Sequence, residues 1–138
     1  EFTLRIGGKV GKGSGQPVDL PITVRKIVSN AEQSFGQAKQ TMGCGVWVSA
    51  ANNLDIFLNS IRTQTFHPDA FEQVGLKLSD KKIVVVKSTQ HFYAGFAPIA
   101  ESVLYVSAPG SINMNFSEIG FKKFTDPYWP KVADPRSA

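Results

Sequence analysis

Ile83-Val84-Val85-Val86-Lys87-Ser88-Thr89-Gln90-His91-Phe92 decides how the rest of the chain is read. Four consecutive apolar residues, all β-branched, predict a central strand covered on both faces. Phe92, Phe96 and Ile99, with Tyr93 and Ala100, then recur at helical spacing, and Val103-Leu104-Tyr105-Val106 predicts a second strand. Residues 83–106 thus read as a β-α-β unit with parallel strands and a right-handed crossover. Pro98 removes a helical hydrogen bond, so the helix is expected to kink or end early. Ligands of open α/β sheets bind beyond the carboxyl ends of strands. Lys87, Ser88 and His91 are therefore the leading candidates for contact with another molecule.

Working outward, residues 18–28 alternate Val18, Leu20, Ile22 and Val24 against Asp19, Thr23 and Arg25, the pattern of a half-buried strand. Pro21 falls on the polar side and predicts an edge position or a bulge. The polar stretch Ser29 to Met42, with Gly36 inside it, reads as a long loop. Asn52-Asn53 between Val46-Trp47-Val48 and Leu54–Leu58 predicts a β-hairpin, because Asn tolerates positive φ. Its second strand is expected to bury Leu54, Ile56 and Leu58. Pro68, acidic Asp69 and Glu72, and Gly75 mark a short helix over about residues 68–74. A last short turn near Ile119 has Asn115 or Ser117 as its cap, and a proline-bearing extended tail follows. The expected fold class is α+β (mixed α/β): a mixed sheet with a β-hairpin, the β-α-β unit near residues 83–106 and two to three short helices.

A chain of 138 residues is long enough for one domain, residues 1–138, with a core of its own. Apolar residues at 42% and charged residues at 19% exclude a disordered composition. Cys44 has no second cysteine to pair with, which fits a reducing cytoplasm. No stretch approaches the roughly 18 apolar residues of a membrane span, and the start lacks the regions of a signal peptide. The chain begins in a strand-like segment without Met, as expected of a piece of something longer. A net charge of +4 is dispersed in pairs such as Arg25-Lys26 and Lys81-Lys82, so a solvated surface is expected and nucleic acid is not.

The glycine-rich run Gly7 to Gly15 invites a phosphate-loop reading, but Lys12 is followed by Gly13 and then by a strand, where that motif needs Ser or Thr and a helix. It reads as a loop between strands, from which Lys9 can reach a substrate carboxylate. A catalytic zinc needs about three protein ligands with one open position. Two histidines, His67 and His91, one cysteine and no His-Glu-x-x-His make a complete metal site improbable, so no metal ligands are assigned. His67 before Pro68 reads as a surface cap. Cys44, between Gly43 and Gly45, reads as a small residue in a tight passage. Two readings of Ser88 and His91 stay open. They share the first turn of a helix facing a ligand, or Ser88 or Thr89 caps that helix while His91 packs on its own turn. The aromatic group Phe121, Phe124, Tyr128 and Trp129 is expected to anchor the tail.

Leu4-Arg5-Ile6-Gly7-Gly8-Lys9, Gly15-Gln16-Pro17-Val18, Val85–Phe92 with Phe96 and Pro98, Ala108-Pro109-Gly110 and Pro127-Tyr128-Trp129-Pro130 occur in an order and at spacings that resemble the C-terminal domain of the microcystinase C (MlrC) family. The resemblance implies a part of a bacterial zinc-dependent metallopeptidase acting on small or linearised peptides. It implies that zinc is held by an N-terminal metal-binding domain absent here, and that this chain alone is inactive. Gly7-Gly8-Lys9 and Lys87–Phe92 would line a cleft between the two domains. The insertion-like stretch Ser29 to Gln40 departs from the family pattern and leaves the substrate open. The competing reading is an independent anion- or nucleic-acid-binding module without catalytic activity.

Overall fold

In a computed structural model of the chain, residues 2–108 and 115–137 are described. The Pro109-Gly110 part of the motif set lies outside them. Four strands, β1 (Phe2–Ile6), β2 (Val18–Phe35), β3 (Ala38–Ala50) and β4 (Leu54–Asn59), form one sheet in the order β1-β2-β3-β4. The β2–β3 and β3–β4 pairs are antiparallel. Helix is limited to α1 (Asp69–Glu72), α2 (Tyr93–Phe96) and four three-residue 3-10 turns among the described residues.

This corrects the expected fold class: the sheet is antiparallel and β-dominated, and the β-α-β unit does not exist. Residues 83–86 and 103–106 join no strand. Ile83 and Val85 are 80% and 84% exposed, and Leu104 and Val106 are 82% and 83% exposed. The misreading has a physical cause. β-branched residues favour a strand because they pack against cross-strand neighbours, and without a ladder partner the preference has nothing to act on.

The second correction concerns residues 29–42, expected as a loop. They form the end of β2, a two-residue turn and the start of β3. Gly36 takes φ 60° at the first turn position, as a type II′ hairpin turn requires. The polar residues conceal a strand because Ala31 and Gln33 point inward and Glu32 outward. Strand β2 lies between β1 and β3, and its pairing with β3 begins at Thr23, so Pro21 sits where the strand has no β3 partner. Of the apolar residues expected inward on this strand, Ile22 is buried, while Val18 and Val24 are 55% and 39% exposed. Three register shifts, between Val24 and Lys26 and around Ala31, bend the long strand.

The Asn52-Asn53 hairpin connects β3 to β4, with φ of 61° and 58° at the two asparagines. Its inward side differs from expectation: Phe57, on the face opposite Leu54, Ile56 and Leu58, meets the core cluster of Ala31, Met42 and Ala70. Gly45 makes room for it, because a Cβ there would lie 2.8 Å from the Ala31 methyl and 2.9 Å from the Phe57 ring. Helix α1 starts after Pro68, and Gly75 follows it with φ 86°. Helix α2 ends at Phe96, where a 3-10 turn carrying Pro98 takes over. Phe71 bridges the layers, its ring 5.9 Å from Phe57 and 6.2 Å from Phe96.

The chain divides into two compact units. One holds Asp19–Val103 with the first residues of β1, and contains the core just described. The other holds Arg5–Val18 and the segment from Leu104 onward. In it Phe121, Phe124 and Tyr128 stack on one another with centroids 5.4–6.2 Å apart, and the Tyr128 hydroxyl donates to the carbonyls of Phe116 and Ile119. Trp129 is 71% exposed.

Two predictions follow from the packing. Gly45→Ala overpacks the contact with Phe57 and should destabilise by about 1–3 kcal/mol in chemical denaturation. Val85→Thr should change the stability of this chain by less than about 0.5 kcal/mol, as at an ordinary surface position; a buried central strand would lose several times that.

Candidate functional site

The far half of β2 organises the only place where both histidines come together. A five-residue β1 cannot cover an eighteen-residue β2, so the outer N–H and C=O groups of residues 32–34 need other partners. Side chains of the following segments supply them. Gln73 pairs its amide with Glu32, Nε2 donating to the Glu32 carbonyl at 2.9 Å and Oε1 accepting from its N–H at 3.0 Å. Asp69 accepts from the Ser34 N–H at 3.0 Å and from its hydroxyl at 2.6 Å. Between them the fully buried Gln33 reaches inward, donating to the Gln64 carbonyl at 2.7 Å and accepting from the Phe66 N–H at 2.7 Å.

These bonds hold residues 64–69 against the β2–β3 turn. An open pocket of about 290 Å³ results, lined by Ser34, Phe35, Gly36, Phe66, His67, His91, Ala94 and Gly95. The Phe35 and Phe66 rings lie 4.6 Å apart. His91 stands edge-on to both, with centroids 5.2 Å and 5.6 Å away. Gly95 permits the close approach of α2, since a Cβ there would sit 2.8 Å from the Phe66 carbonyl oxygen.

Asp69 is the electrostatic hub. Burial works against its charge, but the bonds from Ser34 and Lys39 and the nearby His67 outweigh it, and the carboxyl is held below its ordinary range. Lys39 Nζ lies 3.1 Å from Oδ2, and His67 Nδ1 lies 3.1 Å from Oδ1. The same Nδ1 is 3.3 Å from the Asp69 N–H. One nitrogen cannot accept and donate together. The neutral ring either accepts from the backbone and keeps its proton on Nε2, or donates Nδ1–H to the carboxylate; protonation turns the latter into an ion pair.

His91 of the sequence candidates thus lies in the pocket. Ser88 is tied to the same platform, its hydroxyl donating to Gln64 Oε1 at 2.9 Å. Neither Ser88 nor Thr89 caps α2, whose first residue follows Phe92 and has no side-chain cap. Lys87 is exposed and, among the described residues, has no hydrogen bond or ion pair. Lys9 belongs to the other unit, where its Nζ donates to the Arg5 carbonyl at 3.3 Å. Sequence reading passed over the second role of His67, whose Nδ1 lies within reach of the Asp69 N–H, as its expected cap role requires, and which also lines the pocket. It also passed over Ser34 and Lys39, because residues 29–42 read as a loop, and gave Asp69 only a helix-start role. Two acceptor-type neighbours, His67 and Asp69, flanking Pro68 were the available signal. Among the described residues no three of His, Cys, Asp and Glu are gathered so as to hold a metal ion. No helix among them is long and apolar enough to cross a membrane.

A second polar centre stabilises the β3–β4 hairpin at a distance in sequence from these residues. Trp47 Nε1 donates to Asp55 at 2.6 Å, and Lys81 pairs with the same carboxylate. Burial again opposes the charge of Asp55, and Lys81, Trp47 and Arg25 together pull its carboxyl below the usual range.

Comparison with known proteins gives two matches. The family model described as MlrC C-terminus matches residues 1–123. A protein of Sphingomonas sp. named Microcystinase C is 33% identical over 130 residues, 94% of this chain and 25% of that protein. The chain therefore spans a quarter of the length of the relative it matches.

The lowered carboxyl of Asp69 sets a pH dependence. Its contribution to stability is present above the unfolded pKa of about 4 and is lost as pH falls through the lower folded value. Asp69→Asn should therefore cost about 1–3 kcal/mol at pH 7 and flatten the loss of stability below about pH 4, read by thermal unfolding across pH.

Proposed function

This chain belongs to the MlrC C-terminus family, and from that membership we propose that it is the C-terminal domain of a microcystinase C-like zinc metallopeptidase that hydrolyses small or linearised peptides. In this reading it forms one wall of the active-site cleft, facing a metal-binding domain that precedes it. The single observation that carries the reading is the match to a microcystinase C over 94% of this chain but 25% of that protein.

Zinc enters the reading as a group held elsewhere. A catalytic zinc takes about three protein ligands, and the described residues do not assemble such a set. They do fit the task of binding and orienting a peptide. His91 lines a pocket wall with its imidazole, and among the described residues Lys87 has no partner that would spend its charge. A carboxylate or peptide carbonyl is the acceptor such donors hold, and holding it in place lowers the barrier to attack elsewhere on the substrate. Ser88 is a positioning residue, since its hydroxyl fixes the Gln64 side chain beside the platform that His91 packs on. A cytoplasmic setting goes with the reading, in which Cys44 remains a thiol.

The test is made in the full-length protein. His91→Ala and Lys87→Ala should each lower kcat/KM on a small peptide by about 10- to 100-fold while bound zinc stays at the wild-type stoichiometry. Unchanged turnover in both variants would remove the cleft-wall role.

A further inference from the structure

The pocket between the β2–β3 turn and α2 has a composition that donors alone do not explain. Two phenyl rings, the Ala94 methyl and the bare backbones of Gly36 and Gly95 make most of its wall, and the imidazoles of His67 and His91 supply the polar part. Ser34 adds no free donor, because its hydroxyl already donates to Asp69 and accepts from Lys39 at 2.9 Å. Lys39 and Asp69 offset each other's charge. What remains to bind a ligand is apolar surface and imidazole N–H.

We infer that this pocket is a side-chain subsite for an aromatic amino-acid residue whose adjacent carboxylate or carbonyl is held by His91 and His67. The assignment deepens the peptidase reading and rests on it for the peptide nature of the ligand. Size supports a single residue. Pockets for whole small ligands begin at about 300 Å³, and the 290 Å³ here suits one aromatic side chain with its flanking backbone. Geometry supports an aromatic ring. Phe35 and Phe66 lie tilted at 34°, His91 meets both edge-on, and Phe35 and His91 remain exposed, so aromatic surface is left for an entering ring to pack on. Chemistry supports an acceptor beside it. His91 keeps at least one N–H in every protonation state and, among the described residues, makes no hydrogen bond. The subsite also explains a feature the fold alone does not require: His91 stays exposed at the rim while its neighbour Phe92 is 7% exposed and fills the core.

The experiment uses the chain itself, observed by NMR through its histidine ring and Ala94 methyl signals. N-acetyl-L-phenylalanine should shift the His91, His67 and Ala94 signals saturably, with a Kd of about a millimolar. N-acetyl-L-alanine should bind at least about tenfold more weakly, as loss of a buried aromatic ring dictates. Ala94→Leu, at an exposed position of α2, should fill the pocket and abolish the shifts in a protein whose spectrum stays dispersed. His91→Phe keeps the ring packing and removes the N–H, so it should weaken N-acetyl-L-phenylalanine strongly and its uncharged amide to a smaller degree, the neutral carbonyl being the weaker acceptor. Absence of saturable shifts, equal binding of the alanine compound, or undiminished binding by folded Ala94→Leu would each overturn the subsite. Binding here is read without turnover. A pocket that binds in a protein whose His91 and Lys87 variants turn over normally would therefore sink the cleft-wall reading alone, and the converse pair of results would sink the subsite alone.

Discussion

One buried amide holds the pocket-bearing part of this molecule together. Gln33 has no exposed surface, and both ends of its side chain are spent on the backbone of residues 64 and 66. A buried amide is costly unless it is paired, so the position is tolerated only when the 64–66 segment packs against this part of β2. Gln73 on Glu32 and Asp69 on Ser34 repeat the device on the outer side of the same strand. Three consecutive residues of β2 thereby fix the start of α1. The ring of Phe66, fixed with them, becomes the floor on which His91 stands.

The same three residues explain what the sequence conceals. A strand that buries Gln and turns Glu and Ser toward side-chain partners carries no hydrophobic alternation, so Ser29 to Met42 reads as a loop and the pocket cannot be foreseen. Residues 83–86 mislead in the opposite direction. Their apolar run satisfies the preference for a strand, but β1 to β4 already pair with one another in sequence order, and the run is left exposed. Local chemistry is legible where the backbone itself demands it. The asparagine pair marks a hairpin through its positive φ, Pro68 and Asp69 mark a helix start, and Pro98 marks a helix end. His91 is legible as a candidate from its place after the apolar run and from the family resemblance. His67 is not, because a histidine before a proline has an adequate local explanation in the bond it accepts from Asp69.

Membership of the MlrC C-terminus family gives this architecture a context. The stretch that seems an insertion, Ser29 to Gln40, is the hairpin that supplies Ser34, Phe35 and Gly36 to the pocket wall. The order Lys87-Ser88-Thr89-Gln90-His91 does a different job, bringing one side chain to the rim and tying another to Gln64. Pocket wall and exposed donor thus come from separate segments that share the 64–67 platform.

The dependence of the pocket on Gln33 is tested most directly by amide hydrogen exchange in the Gln33→Met variant, which keeps the side chain's bulk and removes its polar ends. The account predicts that the Phe66 amide loses its protection and that ring contacts of His91 with Phe35 and Phe66 disappear, while amides of the β3–β4 ladder exchange as before. Protection of Phe66 and intact His91 contacts in that variant would contradict it.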